Sequence, residues 1–300
     1  MEYVNIQGAE VPVIGLGTWQ LTGPTCTRVV ETALDLGYRH IDTAEAYGNE
    51  GDVGRGLAQA ERYGVAFERD RVTRLDPVEG GFEATWGAGS ARAKTVLLAT
   101  GVRNRRPDMD EELHDEALAR GLIRYCPICD GYEVTDKKVG VIGSGSHGVA
   151  EAVFLRGYTA DITLIAPDQA HQLDEADQKR LRDNGIDCID GPARGVATQK
   201  DCIVVETASG FHAFDSVYPA LGSDTHTELA EQIGVELNGD TGCIAVDDHQ
   251  RTNVPGAYAA GDVVIGLDQI SHAMGEGGVA ATTIRNDLAK ERPLRRAPAD

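Results

Sequence analysis

Two cysteines separated by two residues, Cys126-Pro127-Ile128-Cys129, lead directly into Asp130-Gly131. Thiols at this spacing can share a zinc ion, open and close a small disulfide, or sit in a core. A zinc ribbon needs a second pair at matching spacing. Cys26, Cys188, Cys202 and Cys243 do not supply one, so no metal site is expected. If the pair turns over, one thiolate attacks a disulfide and the other resolves the mixed disulfide, and a helix N-terminus would favour the thiolate. Downstream, Lys138-Val139-Gly140-Val141-Ile142 reads as an apolar strand, followed by Gly143-Ser144-Gly145-Ser146-His147-Gly148 opening a helix. In such a G-x-G-x-x-G turn Gly143 allows the tight turn and Gly145 lets backbone N–H groups approach a pyrophosphate. Gly148 permits close helix–strand packing. Ser146 and His147 complete the turn, with His147 facing solvent.

The elements around these residues alternate between strand and helix patterns, as an α/β protein requires. The strand Asp161 to Ile165 ends in Ala166-Pro167-Asp168. Asp168 is either a turn residue or an acceptor for a ribose hydroxyl that would repel a 2′-phosphate, which favours NADH over NADPH. Strands are expected over 200–205 and 211–218. Upstream, Val65 to Trp86 alternates like short antiparallel strands, with turns at Asp76-Pro77 and Gly80-Gly81. Thr95 to Gly101 is an apolar strand ending in Ala99-Thr100-Gly101, where small residues let a backbone pass close to a cofactor. Asp108 to Asp115 reads as a solvated acidic loop.

Composition narrows the class. A chain of 300 residues with 41 % hydrophobic content can bury a core in each of two domains. The formal charge of −20 argues against nucleic acid or an anionic membrane as partner, since both select a basic surface. No stretch approaches the roughly 20 apolar residues of a membrane helix. The first residues lack a basic region followed by an apolar core, so a cytoplasmic location is expected. Six scattered cysteines do not make a secreted disulfide scaffold.

From about Gln59 to about Leu288 the chain resembles the low-molecular-weight thioredoxin reductase family. The resemblance rests on Leu97-Leu98-Ala99-Thr100-Gly101, the Cys126 to Gly131 hexapeptide, the glycine turn, and Gln250-Arg251-Thr252 before Tyr258-Ala259-Ala260-Gly261-Asp262-Val263. The closing Gly275-Glu276-Gly277-Gly278 stretch completes it. It implies two Rossmann-like three-layer domains, the first discontinuous and carrying a small antiparallel insertion. The flavin domain would span 59–122 and 244–300, and the NAD(P) domain with the cysteine pair 123–243. It further implies electron flow from NADH or NADPH through FAD to the Cys126–Cys129 disulfide. A small disulfide or a thioredoxin-like protein would be the acceptor, and the enzyme would be a homodimer. Cys129 would lie against the flavin, Cys126 would attack the acceptor, and Asp130 would assist proton transfer. Thr100, Gly101, Gly261, Asp262, Gly278 and Val279 would contact FAD, Asp262 through the ribitol chain and the helix begun by Gly277, Gly278 and Val279 through the ring. His272 would face the ring or solvent.

Residues 1–58 read differently. Val11 to Gln20 is a strand ending in glycines, a helix follows from about Thr25 to Leu36, and a second strand covers Tyr38 to Ala44. With Asp42-Thr43-Ala44-Glu45-Ala46-Tyr47-Gly48-Asn49-Glu50 this resembles the opening of aldo-keto reductases, which implies Asp42 as the tetrad aspartate and Tyr47 as the proton donor. The match ends near Leu57, and one βαβ piece cannot close an eight-unit barrel. Lys94 and His114 are not placed to complete the tetrad, and a tyrosine near its usual pKa of about 10 is a poor acid at neutral pH. The fragment stands where a flavoprotein carries its ADP-binding turn. Gly15-Leu16-Gly17-Thr18-Trp19-Gln20 keeps two glycines of that turn and lacks the third. Two other readings stay open: a nucleotide-binding chimera without turnover, and an aldo-keto reductase.

Overall fold

The computed structural model of the chain describes residues 68 and 70–291. It also describes the backbone of four short strands, Tyr3–Ile6, Ala9–Pro12, Leu16–Gly17 and Ile41–Asp42. Two compact units are present, Arg103–Asp224 and Met1–Val102 with Thr225–Asp300.

Within Arg103–Asp224, four strands form a parallel sheet in the order Asp187–Ile189, Ile162–Ile165, Val139–Gly143, Ser216–Ala220. A parallel sheet covered on both faces selects unbroken apolar runs, and all five residues of Val139–Gly143 and all four of Ile162–Ile165 are buried. The helix Gly145–Leu155 turns Gly148, Val149, Ala152 and Leu155 inward at helical spacing. The helix Glu175–Asn184 starts where Asp174 accepts from the Asp177 N–H at 2.7 Å and ends at Gly185, whose φ of 61° is left-handed. A second sheet, Gly195–Thr198, Ile203–Thr207 and Gly210–Phe214, is antiparallel. Its Val196, Ile203, Val205 and Phe214 share a core with Ile142, Ile165 and Val217.

The acidic stretch read as a loop is a helix, Glu111–Ala119, capped by Asp110, which accepts from the Glu112 N–H at 2.9 Å. Acidic side chains suit the positive end of a helix, so their density marks a first turn. The helix belongs to this unit because Ala117, with Leu122 and Ile123 just beyond it, enters the same core. The chain changes unit after Val102 and again after Asp224, ahead of the sequence boundaries at 122/123 and 243/244.

In the other unit Val72–Val78, Gly81–Trp86 and Gly89–Ala93 form a three-stranded antiparallel sheet. Asp76-Pro77 lies inside the first strand and is not a turn. That strand is at the sheet edge, where a proline can face away from the ladder. Val96–Leu98 pairs in parallel with Ala257–Ala259, and Leu75, Phe82, Leu98, Ile244, Ala259 and Val263 form the core around them. Near the N-terminus Leu16–Gly17 and Ile41–Asp42 pair in parallel, a geometry that needs a crossover connection between them. The helix expected over 25–36 lies outside the described residues.

Candidate functional site

Cys126 and Cys129 are joined as a disulfide, with Cα atoms 5.3 Å apart. Cys126 precedes one helical turn, Pro127–Asp130, which passes into a 3-10 turn over Gly131–Val134. Proline suits the first position because its missing N–H would be unpaired there anyway. Gly131 is required by packing: a Cβ on it would stand 2.7 Å from the Tyr158 ring. Four residues align too few peptide dipoles for the helix-terminus effect expected of this pair. Charged side chains surround it instead. Asp130 Oδ1 accepts from the Tyr218 hydroxyl at 2.7 Å, and Arg124 reaches Asp130 Oδ2 at 3.1 Å and Glu133 at 2.6 Å. Burial pushes the Asp130 carboxyl above its ordinary range, while Tyr218 and Arg124 pull it back. Cys129 is exposed and Cys126 half-buried.

The helix Gly145–Leu155 packs against this same turn and carries the glycine motif at its start. Its three glycines play distinct parts. Gly145 has a φ of 58° and open space where a side chain would be, which leaves room for a ligand's approach. A Cβ on Gly143 would meet the Ala220 Cβ at 2.9 Å, and one on Gly148 would meet the Gly143 carbonyl carbon at 2.8 Å. The motif is therefore built for close strand–helix contact with an open turn between. Ser146 is tethered to Asp177 at 2.8 Å, and His147 is exposed. Asp168 is exposed just beyond Ile162–Ile165. These residues fit a dinucleotide pyrophosphate at the turn and a ribose hydroxyl at Asp168.

In the other unit, the parallel pairing of Val96–Leu98 with Ala257–Ala259 puts Thr100-Gly101 and Gly261-Asp262 at the C-terminal ends of neighbouring strands. Both glycines have left-handed φ, 65° and 80°. Ligands of α/β sheets bind at this end of the strands. The Gly261 N–H donates to Glu276 at 2.7 Å, and His272 lies 3.6 Å from the same carboxylate. Burial raises the Asp262 carboxyl, with His272 opposing it. Gly278 and Val279 do not begin a helix. They lie inside Ile270–Glu291, where Ala280 and Thr283 bury the inner face and outweigh the cost of the glycines. These residues fit the ribitol end of a flavin. Of the aldo-keto pair, Asp42 is described only as a backbone position in its strand, and Tyr47 lies outside the described residues.

Several residues at these sites carry no sequence signal. His226 locks the Thr100 turn: its Nδ1 donates to the Thr100 carbonyl at 3.0 Å, its N–H donates to the Gly101 carbonyl at 3.1 Å, and its own carbonyl accepts from the Thr100 hydroxyl at 2.6 Å. Tyr218 reads only as one more strand residue. Arg124 reads in the sequence like any other arginine, and its part here depends on where the fold places Asp130. Glu151 sits on the helix after the glycine turn, with one oxygen sealed from solvent and unpartnered. Burial pushes its carboxyl up to about 7.

The chain is 36 % identical over 235 residues to an alkyl hydroperoxide reductase subunit of Pseudomonas putida, covering 72 % of this chain and 43 % of that one. It is 27 % identical over 236 residues to the thioredoxin reductase of Listeria innocua, covering 75 % and 72 %. It thus spans well under half the length of the alkyl hydroperoxide reductase relatives it matches. The crystal structure of thioredoxin reductase from Streptococcus pyogenes superposes with a TM-score of 0.69 at 26 % identity, covering 80 % of each chain. The family described as pyridine nucleotide-disulphide oxidoreductase, whose members use FAD and NAD(P)H, matches residues 4–277, and this chain belongs to it.

Proposed function

We propose that the protein is a thioredoxin-reductase-like flavoprotein oxidoreductase, passing electrons from NADH through FAD to the Cys126–Cys129 disulfide and on to an acceptor disulfide. The observation that carries this reading is the disulfide on a turn packed against the helix that opens with the nucleotide glycines. When bound, FAD supplies a two-electron carrier between the nicotinamide and the disulfide. Gly143, Gly145, Ser146, His147 and Gly148 hold the pyrophosphate of the nicotinamide nucleotide. Thr100, Gly101, Gly261, Asp262, Gly278 and Val279 hold the flavin. Once reduced, the Cys126 thiolate attacks one sulfur of the acceptor disulfide and expels the other as a thiolate. Cys129 then displaces the second acceptor sulfur and restores the protein disulfide. Asp130 handles the proton released by the thiols.

Asp168 favours NADH, since its carboxylate accepts from a ribose hydroxyl and repels a 2′-phosphate. The acceptor is a small disulfide or a thioredoxin-like protein, and the enzyme works as a cytoplasmic homodimer. Among the described residues no helix is long and apolar enough to cross a membrane. Residues 1–58 are read as an aldo-keto-reductase-like βαβ fragment in place of the usual ADP-binding unit; the flavin site is assigned to the unit of Met1–Val102 with Thr225–Asp300, and the NAD(P) site to Arg103–Asp224. The parallel pairing of Leu16–Gly17 with Ile41–Asp42 supports the βαβ reading.

The test is a visible absorption spectrum of the purified protein with and without added FAD. A flavin spectrum bleached by NADH supports the assignment. A protein that takes up no FAD, yet still binds NADH, overturns it in favour of a nucleotide-binding protein without turnover.

A further inference from the structure

The disulfide turn holds a cluster of charges that thiol–disulfide exchange does not by itself require. Asp130, beside Cys129, presents one oxygen to the Tyr218 hydroxyl at 2.7 Å and the other to Arg124 at 3.1 Å. Tyr218 is fully buried and stands on Ser216–Ala220, the strand next to the one that ends in the glycine turn. Its ring would fill that place without the hydroxyl, so what the hydroxyl adds is one hydrogen bond to Asp130. Arg124 is nearly buried, at 12 % exposure, and its second nitrogen is committed to Glu133. A carboxylate gripped on both oxygens from two directions cannot rotate, and each donor favours its ionised form.

We propose that Tyr218 and Arg124 are positioning residues for the redox pair: each holds one oxygen of Asp130, fixing the carboxylate in place to take the proton released by the neighbouring thiols. This deepens the reductase reading and rests on it. Burial and the adjacent Asp130 raise the Tyr218 hydroxyl, so it stays protonated and is the donor of the pair. Burial lifts Asp130 toward the protonated acid, and these two donors oppose the lift, with Glu133 adding to it. The other titratable groups on elements packed around the turn are Tyr132 on Gly131–Val134, Glu151 and His147 on Gly145–Leu155, and Tyr158 against Gly131. The aspartate acts directly on the thiols, whereas Tyr218 and Arg124 act only through it.

The step can be followed without flavin or nicotinamide. The chemically reduced full-length protein is mixed with 5,5′-dithiobis(2-nitrobenzoate). Every sample carries serine at Cys26, Cys188, Cys202 and Cys243, because free thiols such as the exposed Cys188 also react with the reagent. One thiolate of the pair displaces a nitrothiobenzoate and the second displaces the other, so the protein disulfide re-forms, two aryl thiolates are released, and both thiol protons leave. The rate is recorded from pH 5 to 9 for wild type, Tyr218→Phe, Arg124→Lys, Asp130→Asn and Tyr218→Phe with Asp130→Asn. Loss of either donor raises the pKa of Asp130, so the acid limb of the profile should move up by about one pH unit in Tyr218→Phe and in the same direction in Arg124→Lys. With Asp130→Asn already present, Tyr218→Phe should add nothing further. Either of two results overturns the proposal. One is an acid limb unmoved in both Tyr218→Phe and Arg124→Lys. The other is a Tyr218→Phe shift that persists in full beside Asp130→Asn. Because FAD and NADH are absent, failure of the reductase reading would show in the flavin spectrum and not here.

Discussion

Gly143 and Gly148 are in mutual contact, so close that a Cβ on Gly148 would stand 2.8 Å from the carbonyl carbon of Gly143. Strand and helix meet there with no room for a methyl group. Gly148→Ala should destabilise the protein by about 1–3 kcal/mol through overpacking. It should also weaken NADH binding at least tenfold. Urea unfolding and a fluorescence titration with NADH measure the two effects, and an alanine variant of wild-type stability would show that the contact relaxes freely.

The division of labour between the cysteines is open to trapping. In Cys129→Ser, with Cys26, Cys188, Cys202 and Cys243 also changed to serine, Cys126 should attack an acceptor disulfide, expel one half as a thiolate and keep the other in a mixed disulfide that cannot be resolved, visible by mass spectrometry as one adduct per chain. In Cys126→Ser that adduct should form far more slowly. The reverse pattern would exchange the two roles.

Glu151 sets a dependence of stability on pH. Its carboxyl is raised from the usual 4.5 to about 7 by burial, so the native state favours the protonated acid. For an acid raised on folding, stability is complete below the unfolded pKa and is lost as pH rises through the folded one. The loss between pH 4.5 and 7 is on the order of 3 kcal/mol. Glu151→Gln should remove most of that slope, leaving the variant more stable than wild type at pH 8 and little changed at pH 4.5. Denaturant midpoints at the two pH values decide it.

His226 clamps the Thr100-Gly101 turn from a segment more than a hundred residues away in sequence. His226→Ala deletes the ring donor to the Thr100 carbonyl but keeps the backbone contacts. A loss of about 1 kcal/mol in stability is expected. If that turn holds the flavin, FAD affinity should fall severalfold in an equilibrium titration. Unchanged affinity would separate the turn from the flavin site.

The parts of this molecule legible in the sequence are those whose chemistry is local. The glycine turn needs residues a few positions apart, and the apolar runs Val139-Gly140-Val141-Ile142 and Ile162-Thr163-Leu164-Ile165 are what a buried parallel sheet selects. The Cys126 to Asp130 turn is local in the same way. Tyr218 and His226 were not legible, because each matters through a hydrogen bond to a residue some ninety or more positions away. Short-range signals also misled in particular places. Asp76-Pro77 has turn composition, yet an edge strand tolerates it. Gly277, Gly278 and Val279 look like the start of a helix but sit within one, since the buried face of Ile270–Glu291 decides its length. The acidic run before Ala117 resembles solvated loop because a helix N-terminus collects the same side chains.

The pairing of Val96–Leu98 with Ala257–Ala259 also orders events in time. About 160 residues separate the two partners, so a ribosome working at roughly 5–20 residues per second delivers the second strand some ten to thirty seconds after the first. All of Arg103–Asp224 is made in that interval and is contiguous, so it can complete its fold while the earlier strands wait. Leu75, Phe82 and Leu98 have no finished core to enter until Ala259 and Val263 arrive. Until then these three side chains stay in contact with solvent on the nascent chain.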